Sequence, residues 1–348
     1  MATISDVANR AGVSTATVSR ALNGKATVDP ELAARVLAAA EALGYRPNGP
    51  ARNLRKQETA VLALIISDVE NPFFTAIARG VEDVAHEAGY SLVLCNSDDA
   101  ADKEREYVDV ALQERVAGVL LSPTGSAETA ELLARHSTPV VAVDRPLPDH
   151  PSDTVLVDNR LAAKHATLHL SGQGYGRIGC LTGPSGVPTA DDRLAGYRDG
   201  LRAAKLPGST SLVRRASFKA EGAQRAAHEL LAQDDPPDAL LVGNSAMAVG
   251  VLEALAALRL KPGRDVGVVA FDDAPWTTLL DPPLSVVAQP AYDMGALAAR
   301  LLLDRIAGDR EETSTTTLSA HLVARGSSTR LGDSFSHNCP DISDIDHG

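Results

Sequence analysis

Cysteine is scarce in this 348-residue chain: Cys95, Cys180 and Cys339 are too few and too scattered for a disulfide framework or a zinc site. No apolar run approaches the ~18 residues needed to cross a bilayer, so neither a membrane span nor a membrane partner is expected. The chain opens Met-Ala-Thr-Ile-Ser-Asp, without the basic segment and apolar stretch of a secretory leader, and a cytoplasmic protein is expected. Catalytic signatures are missing too. There is no HExxH motif, and Ser185 sits in Gly-Pro-Ser-Gly without a nucleophile elbow. Gly174-Tyr175-Gly176-Arg177-Ile178-Gly179 fits GxGxxG but follows a helical stretch and enters a strand, the reverse of the order a dinucleotide site needs. No enzyme activity, cofactor or metal is expected. Aromatics number twelve, so any that gather on one edge are informative.

At 348 residues the chain exceeds the roughly 100–200 of one domain, and two or three units are expected. The net charge of −12 argues against nucleic acid only if it is evenly spread. It is not. Residues 1–56 hold eight Lys and Arg against four acids, a net +4, and the rest carries 25 against 41, a net −16. A basic head on an acidic body points to a polyanion partner for the head alone.

In the head, Ile4, Val7, Ala8 and Ala11 fall on one helical stripe, with Thr3 as N-cap and Asp6 three residues on. Gly12 allows a tight turn, and Ser14 can cap a second helix reaching about Leu22. On that helix Thr15, Ala16, Ser19, Arg20 and Asn23 share one arc, while Val18, Ala21 and Leu22 face the other way. Asp29-Pro30-Glu31 opens a third helix, expected to bury Leu32, Val36, Leu37, Ala40 and Leu43. Two short helices joined by a tight turn and braced by a third make a helix-turn-helix, whose second helix enters the major groove.

Thr3-Ile4-Ser5-Asp6-Val7-Ala8, Ala11-Gly12-Val13-Ser14, Thr17-Val18-Ser19-Arg20, Leu22-Asn23 and Gly44-Tyr45-Arg46-Pro47-Asn48 resemble the headpiece of the lactose-repressor (LacI/GalR) family of transcription regulators. The resemblance implies that Thr15 and Ala16 read bases, that Arg20 makes a further base contact, and that Ser14, Ser19 and Asn23 hold phosphates. Side chains as small as Thr15 and Ala16 cannot form bidentate base pairings, which leaves Arg20 as the strongest reader. The basic stretch 48–56 begins with Asn48 as cap, carries Arg52 and is too short to be helical alone. By resemblance it is the hinge helix, paired across a homodimer in the minor groove with Leu54 as the wedge. Gly49 and Pro50 depart from the helix-favouring residues more usual there.

From Ala60 onward, apolar strands alternate with helical stretches. The strands fall at Val61–Ile66, Leu92–Leu94, Val119–Leu121, Val140–Val143, Val155–Val157, Ile178–Leu181, Leu240–Val242, Val266–Ala270 and Val286–Val287, with helices such as 73–88, 102–114, 190–205 and 291–306 between them. This is an α/β pattern with parallel sheets, and about 270 residues exceed one core, so two doubly wound lobes are expected. Expected boundaries are 1–46 for the head, 47–58 for the hinge, 59–330 for the core and 331–348 for a disordered acidic tail.

Ligands of open α/β sheets bind beyond the carboxyl ends of the strands, and six strands here run into polar groups: Asp68 and Asn71, Asp98, Asp144-Arg145, Asn244, Asp272-Asp273 and Gln289. Phe73, Phe74, Phe271 and Trp276 lie just past those ends, although core filling competes for Phe271. The region resembles the family's effector core and the related periplasmic sugar-binding proteins. By that resemblance Asn71, Phe73, Phe74, Asp144, Arg145, Arg193, Phe218, Asn244, Asp272 and Gln289 match the set that grips the sugar in the ribose-binding member; Trp276 is added for its place past a strand end, not by the resemblance. Asn244-Ser245 departs from the more common Asn-Asp. Two carboxylates and two guanidinium groups balance, which suits a neutral polyol over an anion. The expectation is a dimeric repressor of double-stranded operator DNA under control of a small sugar, first a pentose such as ribose. Two alternatives stay open: a nucleoside or purine effector, and a transport-type sugar binder with no DNA role.

Overall fold

The computed structural model describes residues 3–22, 28–43, 59–136 and 138–330. The chain divides into two compact units, residues 1–60 and 61–348. The stretch 47–58 expected as hinge and the tail 331–348 lie outside the described residues.

The described residues of the first unit hold three helices, each started by a side chain that satisfies the first free backbone N–H groups. For α1 (Ile4–Ala11) Thr3 and Asp6 form a reciprocal capping box, with Asp6 N to Thr3 Oγ1 at 3.3 Å and Thr3 N to Asp6 Oδ2 at 2.8 Å. Gly12 closes it at φ 65°. For α2 (Thr15–Leu22) the Ser14 hydroxyl accepts from Thr17 N at 3.1 Å. For α3 (Pro30–Ala42) Asp29 accepts from Glu31 N and Leu32 N. Val7, Ala8, Ala11, Val18, Ala21, Val36, Ala39 and Ala40 form the small core. Leu37 is a correction: it is 53% exposed, because Val36, Ala39 and Ala40 define the buried stripe and position 37 is rotated off it.

The second unit is two α/β lobes. The first holds β1 (Val61–Ile66), β2 (Ser91–Asn96), β3 (Gly118–Leu121), β4 (Val140–Val143), β5 (Asp153–Val157) and, from much later in the chain, β11 (Thr315–Leu318), ordered β11-β5-β4-β3-β1-β2 and all parallel. The second holds β6 (Ile178–Thr182), β7 (Val213–Arg215), β8 (Ala239–Val242), β9 (Gly267–Phe271), β10 (Ser285–Ala288) and β12 (His321–Val323), ordered β12-β10-β9-β8-β6-β7, with only β12 antiparallel. The chain crosses between lobes three times, after β5, after β10 and from β11 to β12. The central strands are near-continuous Val, Leu and Ile because both sheet faces are covered by helices. β7, β11 and β12 were not expected from sequence. They are short edge strands with sequences such as Thr-Thr-Thr-Leu, half-exposed, and carry no apolar run to announce them.

Small residues set how closely the covering helices pack. Helix Pro72–Glu87 lies against helix Ala291–Ala307 through Gly80 and Gly295: a Cβ on Gly80 would stand 2.1 Å from the Tyr292 carbonyl oxygen, and one on Gly295 2.1 Å from that of Ile77. Backbone cannot yield as a side-chain tip does. Gly295→Ala should therefore force the helices apart and cost about 1–3 kcal/mol, the usual range for overpacking. A thermal melt of the variant matching the parent would refute this close-approach role.

Candidate functional site

The two strand orders match when β6, β7, β8, β9, β10 and β12 are set against β1, β2, β3, β4, β5 and β11. Asp144 after β4 and Asp272 after β9 thus hold equivalent places in opposite lobes. Each donates its backbone N–H to the neighbouring strand, to Val155 O at 2.9 Å and to Val287 O at 3.0 Å, and then turns through positive φ, 71° and 75°. Aspartate tolerates that region better than most residues, and the turn carries both side chains to the edge shared by the lobes. A cavity lies there that encloses about 360 Å³ of space, the open solvent at its mouth included.

Its lining brings together Asn71, Phe73, Phe74, Asp144, Arg145, Arg193, Phe218, Asn244, Asp272 and Gln289, all named from sequence, with Asp68, Asp99 and Thr189. Trp276 does not line it. It sits on the short turn Pro275–Thr278 and packs half-buried against the second lobe's core. Phe271 is fully buried and supports the Arg193 guanidinium, whose centre lies 4.1 Å from the ring centroid. Asp98 stays exposed in a pair with Lys103, and the next residue, Asp99, reaches the cavity. Both aspartates have positive φ, and that turn, invisible in the sequence, decides which one points inward. Thr189 had a usable signal, four residues before Arg193 on one helical face.

Arg193 is the hub. Its Nε donates to Asn159 Oδ1 at 2.7 Å, Nη1 to Gly243 O at 2.5 Å and Nη2 to Gln289 Oε1 at 3.4 Å. Asn159 and Gln289 sit on the first and second crossovers, and Gln289 Nε2 continues to Asp272 Oδ1 at 2.6 Å. Arg145 pairs with Asp99 at 2.6 Å, and its Nε lies 3.5 Å from Asp144 with no hydrogen bond within the protein. Burial pushes the Asp144 carboxyl above its usual value despite the pull of Arg145 and Arg193, and burial lowers Arg193 despite Asp272 and Asp144.

Asn71 and Asn244 cap the helices that follow β1 and β8, Oδ1 accepting from Phe73 N at 3.0 Å and from Met247 N at 2.7 Å. With each oxygen taken by a cap, Asn71 offers its Nδ2 as donor, and Asn244 Nδ2 gives one hydrogen to Phe218 O at 3.4 Å and keeps its second. Phe73 and Phe74 meet edge to face at 5.1 Å. Lys219 holds Asp68 at 2.9 Å. Counting Asp68, Asp99 and Lys219 with the four charges foreseen from sequence makes the site one unit negative instead of neutral, which disfavours anions further.

In the first unit Ser14, Thr15, Ala16 and Arg20 are exposed on or just before α2, opposite buried Val18 and Ala21. The Ser14 hydroxyl also caps that helix. Ser19 lies on α2, and Asn23, Asn48, Arg52 and Leu54 fall outside the described residues. His165 and His169 stand four apart on helix Asn159–Gly172, but His169 bonds Ser328 Oγ at 2.7 Å. Among the described residues no cluster of His, Cys, Asp or Glu could hold a metal, and no helix is long and apolar enough to cross a membrane.

Residues 3–48 match the bacterial regulatory proteins of the lacI family, and residues 167–328 match a periplasmic binding protein-like domain. The chain is 41% identical over 304 residues to the ribose operon repressor of Bacillus subtilis (strain 168), covering 87% of this chain and 91% of that protein. It is 34% identical over 331 residues to the HTH-type transcriptional repressor CytR of Escherichia coli (strain K12), covering 95% and 97%. Its structure resembles the lac repressor dimer bound to operator and the anti-inducer ONPF, with TM-score 0.84 at 25% identity over 94% of this chain and 99% of that one. A lacI-type headpiece joined to a two-lobed periplasmic-binding-protein-like body, together with these relatives, shows that the chain belongs to the lacI family of bacterial regulatory proteins.

Proposed function

We propose that this chain is a transcriptional repressor whose grip on operator DNA is set by a pentose, ribose in the first place, bound between the lobes. One observation carries the effector reading: Asp144 and Asp272, Arg145 and Arg193, and the donor faces of Asn71 and Asn244 converge on one cavity walled by Phe73, Phe74 and Phe218. Hydroxyl groups can donate to the carboxylates and accept from the guanidinium and amide groups, and an apolar ring face suits the aromatics. A phosphate or carboxylate would meet four aspartates. The name of the Bacillus subtilis relative, a ribose operon repressor, points the same way.

On the DNA side, the exposed face of α2 is the reading surface and the basic stretch 48–56 the hinge, in a homodimer that sets two headpieces on a nearly palindromic operator. Edge strand β2 presents exposed Val93 and Leu94, and the neighbouring helix Ala101–Gln113 presents Val110, an apolar surface suited to such a dimer. Sugar held by Arg193 and Asp272 acts on groups bonded to two crossovers, so occupancy biases the lobe arrangement and, through it, operator affinity. Couplings of this kind are typically about 1–3 kcal/mol. No catalytic role is assigned.

The deciding experiment titrates ribose, other pentoses and nucleosides against the protein by calorimetry, then follows operator anisotropy with each binder. Ribose binding that lowers operator affinity supports the reading, and nucleoside binding without pentose binding overturns the effector. Operator affinity should also fall by about 10³-fold or more between about 50 and about 200 mM salt, as for proteins making about six to ten phosphate contacts. A flat salt response would contradict the headpiece's role.

A further inference from the structure

Ser245 and the rim residue Lys219 are not used by the ligand contacts, yet both reach across the cleft. Ser245 opens helix Ser245–Ala257 in the second lobe and is 1% exposed. Its Oγ donates to Asn71 Oδ1 of the first lobe at 3.3 Å, between residues 174 positions apart. Asn71 Oδ1 already accepts from Phe73 N, so the serine hydroxyl takes its remaining lone pair and leaves Nδ2 facing the cavity. The Ser245 backbone N–H meanwhile donates to Asp272 Oδ2 at 3.2 Å. At the rim, Lys219 Nζ of the second lobe lies 2.9 Å from Asp68 Oδ2 and 3.9 Å from Glu70 of the first. Asp68 is 9% exposed in its side chain and lines the cavity, so the lysine also neutralises a carboxylate that faces the ligand.

We propose that Ser245–Asn71 and Lys219–Asp68 form a two-point latch that draws the lobes together by the chain's own contacts, making Ser245 and Lys219 positioning residues for the effector. Both bonds join different lobes, so both exist only while the lobes are closed, and both release when they part. Their contribution belongs wholly to the closed arrangement, and it raises sugar affinity by increasing the share of molecules already competent to bind. The interior point is a neutral hydrogen bond, insensitive to salt. The rim point joins a lysine exposed to 44% with a nearly buried carboxylate, and salt weakens it. The inference rests on the pentose reading for its affinity readout, but the lobe geometry stands apart from the ligand's identity.

The test uses the full-length protein, with ribose as probe and amide hydrogen exchange read at the crossovers around Asp158–Arg160 and Gln289–Ala291. K219Q should weaken ribose binding roughly two- to fivefold at low salt, a difference that shrinks as salt rises. S245A should weaken it roughly two- to tenfold at every salt concentration. K219E, which sets a third acid against Asp68 and Glu70, should be worse than K219Q. The K219Q/S245A double variant should exchange faster at both crossovers. Ribose affinity within twofold of the parent in the double variant, with unchanged exchange, overturns the latch and leaves the pentose reading intact. If the parent binds no pentose, the pentose reading fails and exchange alone decides: faster in the double variant sustains the latch, unchanged removes it.

Discussion

Arg193→Ala is expected to abolish the response to sugar while leaving operator binding at its ligand-free strength. Arg193 is 5% exposed, and its guanidinium donates to Asn159, Gly243 and Gln289 and lies over Phe271. Alanine would strand the Gly243 carbonyl and the Asn159 oxygen without their donor and remove one of the cations that offset Asp272 and Asp144. Each buried acceptor left without its donor costs about 1–3 kcal/mol, and two of them together lower the melting temperature of a body of this size by roughly 4–24 °C. Sugar affinity should fall at least ~100-fold, since charge-assisted hydrogen bonds contribute about 1.5–3 kcal/mol each. Lysine should not rescue it, because an ammonium cannot reproduce the planar fork. Calorimetry, a thermal melt and operator anisotropy measure the three quantities. Ribose affinity within about threefold of the parent, with an unshifted melt, would show that Arg193 is not the hub.

Arg20→Ala should produce the largest loss on the DNA side. Arg20 is exposed on α2 beside Thr15 and Ala16, neither long enough for a two-pronged base contact, so on the proposed reading Arg20 is the one strong reader. Losing a bidentate contact costs about 1–3 kcal/mol per site, and a symmetric dimer loses it twice. The expected decrease in operator affinity is about 30-fold to 10⁴-fold. Folding stability should stay within about 0.5 kcal/mol because the side chain is exposed and outside the headpiece core. Affinity for unrelated DNA should fall far less, and discrimination should relax at one base pair per half-site. An equal loss on operator and random DNA would instead make Arg20 a phosphate contact.

The headpiece was legible in the sequence because its determinants are local. Caps at Thr3, Ser14 and Asp29, the glycine at 12 and apolar spacings of three and four act within a turn or two of helix. Where the stripe could be drawn two ways, as at Leu37, only packing against the other helices decided. Strand ends in the body were legible for a similar reason: apolar runs stop at Asp144, Asn244, Asp272 and Gln289, and parallel sheets place ligands there. Reading failed where a residue's role depends on a distant partner. Trp276 looked like a cavity aromatic by position and is held by the second lobe's core, while Asp99 displaced Asp98 through a left-handed turn.

What the sequence determined by itself was the kind of part present: a reading helix, alternating strands and helices, and polar groups at strand ends. Tertiary structure decided which parts meet. It sorted the strands into two sheets, returned β11 and β12 to opposite lobes, set Arg193 between two crossovers, and brought Ser245 to Asn71 and Lys219 to Asp68. Local preferences act over a few residues, whereas those pairings are fixed by burying whole sheet and helix faces against each other, and no short window of sequence contains both sides of such a contact.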